Sequence, residues 1–118
     1  MRFIVRLLLH WLLFVLVGTA MAQADVITNW NEIGIAAGYR AKLTPVPHSR
    51  NVAMVQVAMF EAVNAITPRY KAYKLNLHPP SEISAEIAAA TAAHDLLTRL
   101  YPDQTNDFDA RYLVGLWI

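Results

Sequence analysis

The chain contains no cysteine, and charged residues make up only 16% of its 118 positions. The missing thiols exclude disulfide bonds, CxxC motifs and cysteine nucleophiles. The sequence also has no glycine-rich phosphate-binding loop and no nucleophile-elbow serine motif. The formal net charge is +1 without any run of basic residues, so we do not expect nucleic acid as a partner. In the absence of these motifs, the sequence does not indicate a particular reaction.

The first 22 residues have the organisation of a secretory signal peptide. They comprise two arginines, an apolar core at residues 7–17 and a small-x-small pattern that ends at Ala22. The core is shorter than the roughly 20 residues that span a bilayer. We therefore expect cleavage after Ala22 or Ala24 and a periplasmic or extracellular protein. An uncleaved membrane anchor is the alternative.

Cleavage after Ala22 removes two arginines and no acid, which leaves eight basic and nine acidic residues and a net charge of −1. Residues 23–118 are predicted to form an all-α fold, with about four helices of an incomplete helical bundle. The first predicted helix is capped by Asn29 and ends near Gly38. No segment is convincing as a strand.

Residues 41–48 contain two prolines and are predicted to be a linker. Because the residue before a proline is disfavoured in a helix, Thr44 and Val46 are expected to be extended. Ser49 is then the predicted cap of the next helix, which should stop at Thr67 because proline follows.

Residues 51–66 are apolar on every side of the helix that they would form. Such a helix has to be surrounded by protein or lipid. A chain of this size cannot easily surround it, so we expect the chain to be part of something larger. Self-association and a missing remainder are both compatible with this pattern.

Residues 69–77 follow as a basic and aromatic stretch, which we interpret as an extended connector on the surface. Its Tyr70 and Tyr73, like Trp30 in the first helix, are interpreted as packing residues.

Ser81 or Ser84 is predicted to cap a third helix that ends at Tyr101. Asp103 is predicted to cap a fourth helix. Its apolar residues should fall on one side of it; these residues are Phe108, Tyr112, Leu113, Leu116 and Trp117.

The histidines His48, His78 and His94 could suggest a metal site. No two of them have the i, i+4 spacing that places two ligands on one helix face. We interpret His94 as an interface histidine that is bonded to a backbone group or a hydroxyl. The side chain of Asp95 should point about 100° away from it. No metal ligand is therefore predicted.

Glu61 and Asn64 lie one turn apart in the most apolar helix. A buried carboxylate is costly unless it is paired. We interpret the pair as a polar tie to a neighbouring segment, with Gln56 making a similar link; the alternative is a catalytic acid. The expected partner of Glu61 is one of the arginines Arg40, Arg50 or Arg69.

Three segments in order carry a family resemblance: DVITNWNEIGIAA, then VAMVQVAMFEAVNAI followed by RYKAY, then AAATAAHDLLTRLYP. Together they resemble the N-terminal helical region of secreted bacterial proteins of the vanadium-dependent haloperoxidase class. That class lies within the type 2 phosphatidic-acid-phosphatase superfamily. The resemblance covers essentially residues 25–118, and it implies an all-helical fold.

The resemblance also implies a vanadate or phosphate site in a C-terminal bundle, built from Lys-x6-Arg-Pro, Pro-Ser-Gly-His and an arginine with a downstream histidine. The chain has no Arg-Pro dipeptide and no Ser-Gly-His, and neither Arg99 nor Arg111 is followed by a histidine. No catalytic, cofactor-binding or metal residue is therefore assigned. Vanadate is possible only in a full-length parent, which would be a haloperoxidase or a phosphatase.

The chain ends at residue 118 without the usual helix-stop signals, so we expect a truncation before the catalytic part. The sequence thus predicts a non-catalytic scaffold fragment. Its expected partner is the missing C-terminal portion, or a second copy through the apolar helices. The alternative is a small, complete, secreted helical binding module.

Overall fold

The computed structural model describes residues 25–74, 78–79 and 82–116, and within them the fold is all-α with no strand. The predicted signal peptide lies outside the described residues. In this described part of the chain, four α-helices follow one another, with a short 3₁₀ turn at Pro102–Gln104 before the fourth. They are α1 (Val26–Arg40), α2 (Pro45–Ile66), α3 (Ala85–Leu100) and α4 (Thr105–Leu116).

Helix α1 begins four residues earlier than predicted, since its N-cap lies at position 25 and not at position 29. Asp25, and not Asn29, is the N-cap, because its Oδ1 accepts a hydrogen bond of 2.8 Å from the Thr28 amide. This bond lowers the pKa of the exposed Asp25 carboxyl. The helix also continues past Gly38, and Lys42 then turns the chain with a left-handed φ of 53°.

Helix α2 begins inside the predicted linker, so that prediction was wrong beyond Thr44. Thr44 is extended, with ψ 160°, and serves as the N-cap, whereas Val46 is helical. Pro45 and Pro47 fit because the first helical turn does not need their amide protons. Ser49 is not a cap, since its hydroxyl donates to the Pro45 carbonyl within the helix.

The starts and ends that follow are closer to the prediction. Helix α2 stops at Thr67 as expected, and Ser84 caps α3 by accepting a hydrogen bond from the Ile87 amide. Asp103 was the wrong cap for α4, because it lies within the 3₁₀ turn that precedes Thr105.

Helix α3 lies at the centre and packs against the other three helices. Ala89 and Ala93 are fully buried on it, and such small side chains let neighbouring helices approach closely. The largest fully buried side chains, which fill the space between the helices, are Phe108, Met59, Leu97 and Val55.

The other described residues cover α2 on one side only. Val55 and Met59 are buried, but Val57 and Phe60 keep 40% and 39% of their surface exposed. The predicted apolar face of α4 is likewise only partly covered, because Leu113 is 56% exposed. The side chain of Leu116 and all of Trp117 lie outside the described residues.

None of the described helices is both long enough and apolar enough to cross a membrane.

Candidate functional site

His94 on α3 lies between two carboxylates. Its Nδ1 is 3.1 Å from Oδ1 of Asp95, and its Nε2 is 2.6 Å from Oδ1 of Asp109 on α4. The expectation of a backbone or hydroxyl partner was wrong, as was the expectation that Asp95 points away. Docking of α4 brings Asp109 to the ring, and the Asp95 side chain bends towards the other nitrogen.

The two carboxylates set the protonation of His94. Partial burial lowers the pKa of the imidazole, but the hydrogen bonds and negative charges of Asp109 and Asp95 outweigh it. The net effect raises the pKa above its ordinary value of 6.5. The protonated ring can donate to both acceptors at once, which favours the imidazolium at this helix interface.

Two aromatic rings complete the surroundings of His94. The edge of Trp30 on α1 lies 6.3 Å away between ring centroids, and the Tyr112 ring of α4 lies 4.8 Å away, tilted by 31°. The Tyr112 hydroxyl is in turn 2.7 Å from the hydroxyl of Thr91. This cluster joins three helices, so its geometry is that of a packing junction.

The Asp–His–Asp arrangement does not form a catalytic triad. A histidine base activates a nucleophile through one nitrogen while a third group orients the other. Both nitrogens of His94 face carboxylates, and among the described residues no hydroxyl is hydrogen-bonded to a histidine. The cluster can hold a proton, but it has no group to activate.

Glu61 and Asn64 are buried on α2, with 5% and 8% of their surface exposed. The predicted tie of Glu61 to an arginine was wrong, since its Oε1 accepts a bond of 2.9 Å from the Lys74 amide. Asn64 accepts bonds from the amides of Arg69 and Tyr70 and donates to the Tyr70 carbonyl. Both side chains therefore fix the backbone of the segment that follows α2.

The remaining polar candidates also make structural contacts. Gln56 donates to the side chain of Asn31 at 2.6 Å, which links α2 to α1 as the sequence analysis suggested. Nε2 of His48 is 3.1 Å from the Ile35 carbonyl, and His78 is exposed. Within residues 25–74, 78–79 and 82–116, no group of three or more His, Cys, Asp or Glu side chains is placed to hold a metal ion.

One polar network was missed by the sequence analysis. The Arg40 guanidinium at the end of α1 donates to Gln104 at 2.7 Å and to Asp107 at 3.0 Å, and Arg111 donates to Asp107 as well. Gln104 also donates to the Ala37 carbonyl. A basic residue in the last turn of α1 and an acidic residue in the first turn of α4 could have indicated this ion pair. The indication is weak, because Arg40 and Asp107 are 67 positions apart.

Two open apolar grooves lie on the surface, with Ile27 and Val63 lining both. One, of about 700 Å³, is bordered by Trp30 and Tyr112, and the other, of about 490 Å³, by Phe60 and Tyr70. Their walls are mostly apolar, and neither holds a convergent set of acid, base and nucleophile among the described residues.

The described residues thus define an all-α helical bundle whose polar side chains mainly support its packing. No protein-family model, curated protein sequence or solved structure matches the chain.

Proposed function

We propose that this chain is a non-catalytic helical scaffold of a secreted vanadium haloperoxidase-like or acid-phosphatase-like protein. Its partner would be the catalytic portion of that protein, which would cover the exposed apolar residues of α4. The family assignment is supported by the sequence resemblance alone. The role as a scaffold is supported by the use of His94, Glu61 and Asn64 in structural contacts.

The observation that carries the proposal is the setting of His94. Vanadate and phosphoryl groups are anions that need convergent arginine, lysine and imidazole donors. Here Asp95 and Asp109 occupy both imidazole nitrogens, and their negative charges would repel an oxyanion. The residues present do not fit either group, so any such site would belong to the partner portion.

An activity measurement tests the absence of catalysis. The purified protein should show neither vanadate-dependent halide oxidation nor phosphatase turnover above the background of a mock purification. A turnover that survives repurification and is lost in His94→Gln or Glu61→Gln would overturn the proposal.

The DNA that follows codon 118 tests the family assignment. A continuation in any frame that encodes Lys-x6-Arg-Pro and Ser-Gly-His would support a haloperoxidase-like or phosphatase-like parent. An unrelated continuation would contradict this family assignment.

The second candidate function is a small secreted binding module. It is favoured by one observation: among the described residues, every buried polar side-chain atom has a hydrogen-bond partner. A sizing column separates the two functions. A sharp monomer peak with a cooperative melt would favour the module, whereas a broad or oligomeric profile with strong hydrophobic-dye binding would favour the scaffold.

A further inference from the structure

Residues 69–74, with the sequence Arg-Tyr-Lys-Ala-Tyr-Lys, form an exposed segment after α2; we call it the basic–aromatic segment. From the sequence, its two tyrosines were predicted to be packing residues. That interpretation is right for Trp30, which is buried, but Tyr70 and Tyr73 are 71% and 74% exposed. The segment therefore presents large aromatic surface that the described part of the fold leaves uncovered.

The backbone of this exposed segment is nevertheless held from inside the protein. Buried Glu61 and Asn64 make four hydrogen bonds to the main chain of Arg69, Tyr70 and Lys74. Burying a carboxylate and an amide costs free energy, which these bonds offset. The result is a segment with a fixed backbone and exposed side chains, which reduces the ordering cost of binding a partner.

The chemistry of the segment is cationic and amphipathic. Arg69, Lys71 and Lys74 are exposed, and residues 69–74 contain no acid. The ring of Tyr70 lies 6.1 Å from that of the partly exposed Phe60, beside the groove of about 490 Å³. Positive charge thus borders an apolar surface.

We propose that residues 69–74 and Phe60 form a preorganised docking surface for a membrane that contains anionic phospholipids. Tyrosine rings favour the interface between lipid headgroups and acyl chains. Lysine and arginine side chains cover apolar surface with their stems while their charges reach anionic headgroups. The positive charges of residues 69–74 complement anionic headgroups, and the apolar groove beside Phe60 and Tyr70 can contact the acyl chains.

A lipid surface fits better than the other polyanions. A single-stranded nucleic acid is bound along a positively charged groove that follows its backbone. Here the groove between Phe60 and Tyr70 is lined mainly by apolar side chains, and the cations of this surface are confined to three positions at its edge. An acidic polysaccharide would use the cations but not the apolar floor.

Vesicle co-sedimentation of the purified protein tests the proposal. The protein should bind phosphatidylglycerol–phosphatidylcholine vesicles, bind pure phosphatidylcholine vesicles weakly, and lose binding as salt is added. Each lysine near an anionic surface contributes about fivefold, so K71Q/K74Q should weaken binding roughly 25-fold. The matched control R50Q/R99Q removes two exposed arginines elsewhere and should leave binding unchanged. All variants keep the same N-terminus, so any contribution of the leader cancels.

Two further variants separate this surface from simple charge attraction. Y70S/Y73S should weaken binding without changing net charge, whereas Tyr39→Ser, at a similarly exposed tyrosine, should not. Asn64→Ala should release the backbone and weaken binding while circular dichroism shows that the helices remain. If Asn64→Ala unfolds, the lysine and tyrosine variants still test whether residues 69–74 bind the vesicles.

Three results would overturn the proposal. One is equal binding to anionic and neutral vesicles. The second is an equal loss in K71Q/K74Q and R50Q/R99Q. The third is an absence of binding to anionic vesicles. Tighter binding to single-stranded DNA or heparin than to vesicles in the same buffer would also contradict the proposal, and it would assign the surface to a different polyanion.

Discussion

The Nε2 atom of His94 lies 2.6 Å from Oδ1 of Asp109, and this contact joins the last two helices across their interface. The residues are 15 positions apart and come from separate helices. Asp95, Tyr112 and Trp30 surround the same ring. The contact makes helix docking depend on a proton.

This dependence has a defined sign. The folded-state pKa of His94 is raised above 6.5, so its stabilising contribution is fully present below pH 6.5 and is lost as pH rises through the folded pKa. Asp109→Asn should therefore lower the free energy of unfolding below pH 6.5 and have less effect at alkaline pH. Urea unfolding on both sides of that pH measures it. His94→Gln is the control, because it removes the titrating group. If the free energy of unfolding of His94→Gln keeps the same pH dependence, another group is responsible for it.

Two glycines of α1 should respond in opposite directions to the same substitution. A Cβ at Gly38 would overlap the imidazole of His48, whereas one at Gly34 would meet Leu97 at an ordinary 3.6 Å. Gly34→Ala should stabilise the protein by roughly 0.5–1 kcal/mol because alanine favours the helix. Gly38→Ala should destabilise it by about 1–3 kcal/mol through overpacking. Thermal melts of both variants check this, and equal shifts would contradict the packing of His48.

The two sides of α2 should differ in their tolerance of charge. V55E/M59E places two carboxylates in the core, and each costs several kcal/mol out of a typical stability of roughly 5–15 kcal/mol. Helicity should therefore be lost. V57E/F60E on the uncovered side should keep helicity and increase solubility. Circular dichroism and solubility decide, and similar behaviour of the two variants would mean that α2 is placed differently.

The predicted signal peptide leads to a prediction about the N-terminus of the exported protein. The exported protein should begin at Gln23, or at Asp25 if the second cleavage pattern is used. Mass spectrometry of the intact protein measures this directly. Recovery of a chain that starts at Met1 in the membrane fraction would instead support the anchor.

Local signals were enough to predict the fold class and several helix ends. The cap of α3 and the stop before Pro68 depend on nearest neighbours. The stop is confirmed, and of the two predicted caps, Ser81 and Ser84, the structure shows Ser84. The start of α2 was mispredicted because Pro45 and Pro47 are compatible both with a linker and with a first helical turn. The choice between a linker and a first helical turn is decided by the docking of α2 on the other helices, and not by the residues next to the prolines.

The polar contacts were harder to predict because they depend on the packing of distant helices. Sequence alone marked His94 and Glu61 as residues to explain, but it gave both the wrong partners. The partner of Glu61 is a backbone amide, and a backbone amide has no residue-type signal in a sequence. Asp109 carries such a signal, yet only the crossing of α3 and α4 places it beside the ring.

The bonds of Arg40 have a consequence for the order of folding during synthesis. Its side chain closes on Gln104, which lies 64 residues later in the chain. At about 5–20 residues per second, a ribosome needs roughly 3–13 s to make that intervening stretch. Helix α1 is therefore made well before Gln104, and the hydrogen bond that holds its C-terminal turn can form only after that residue has been added.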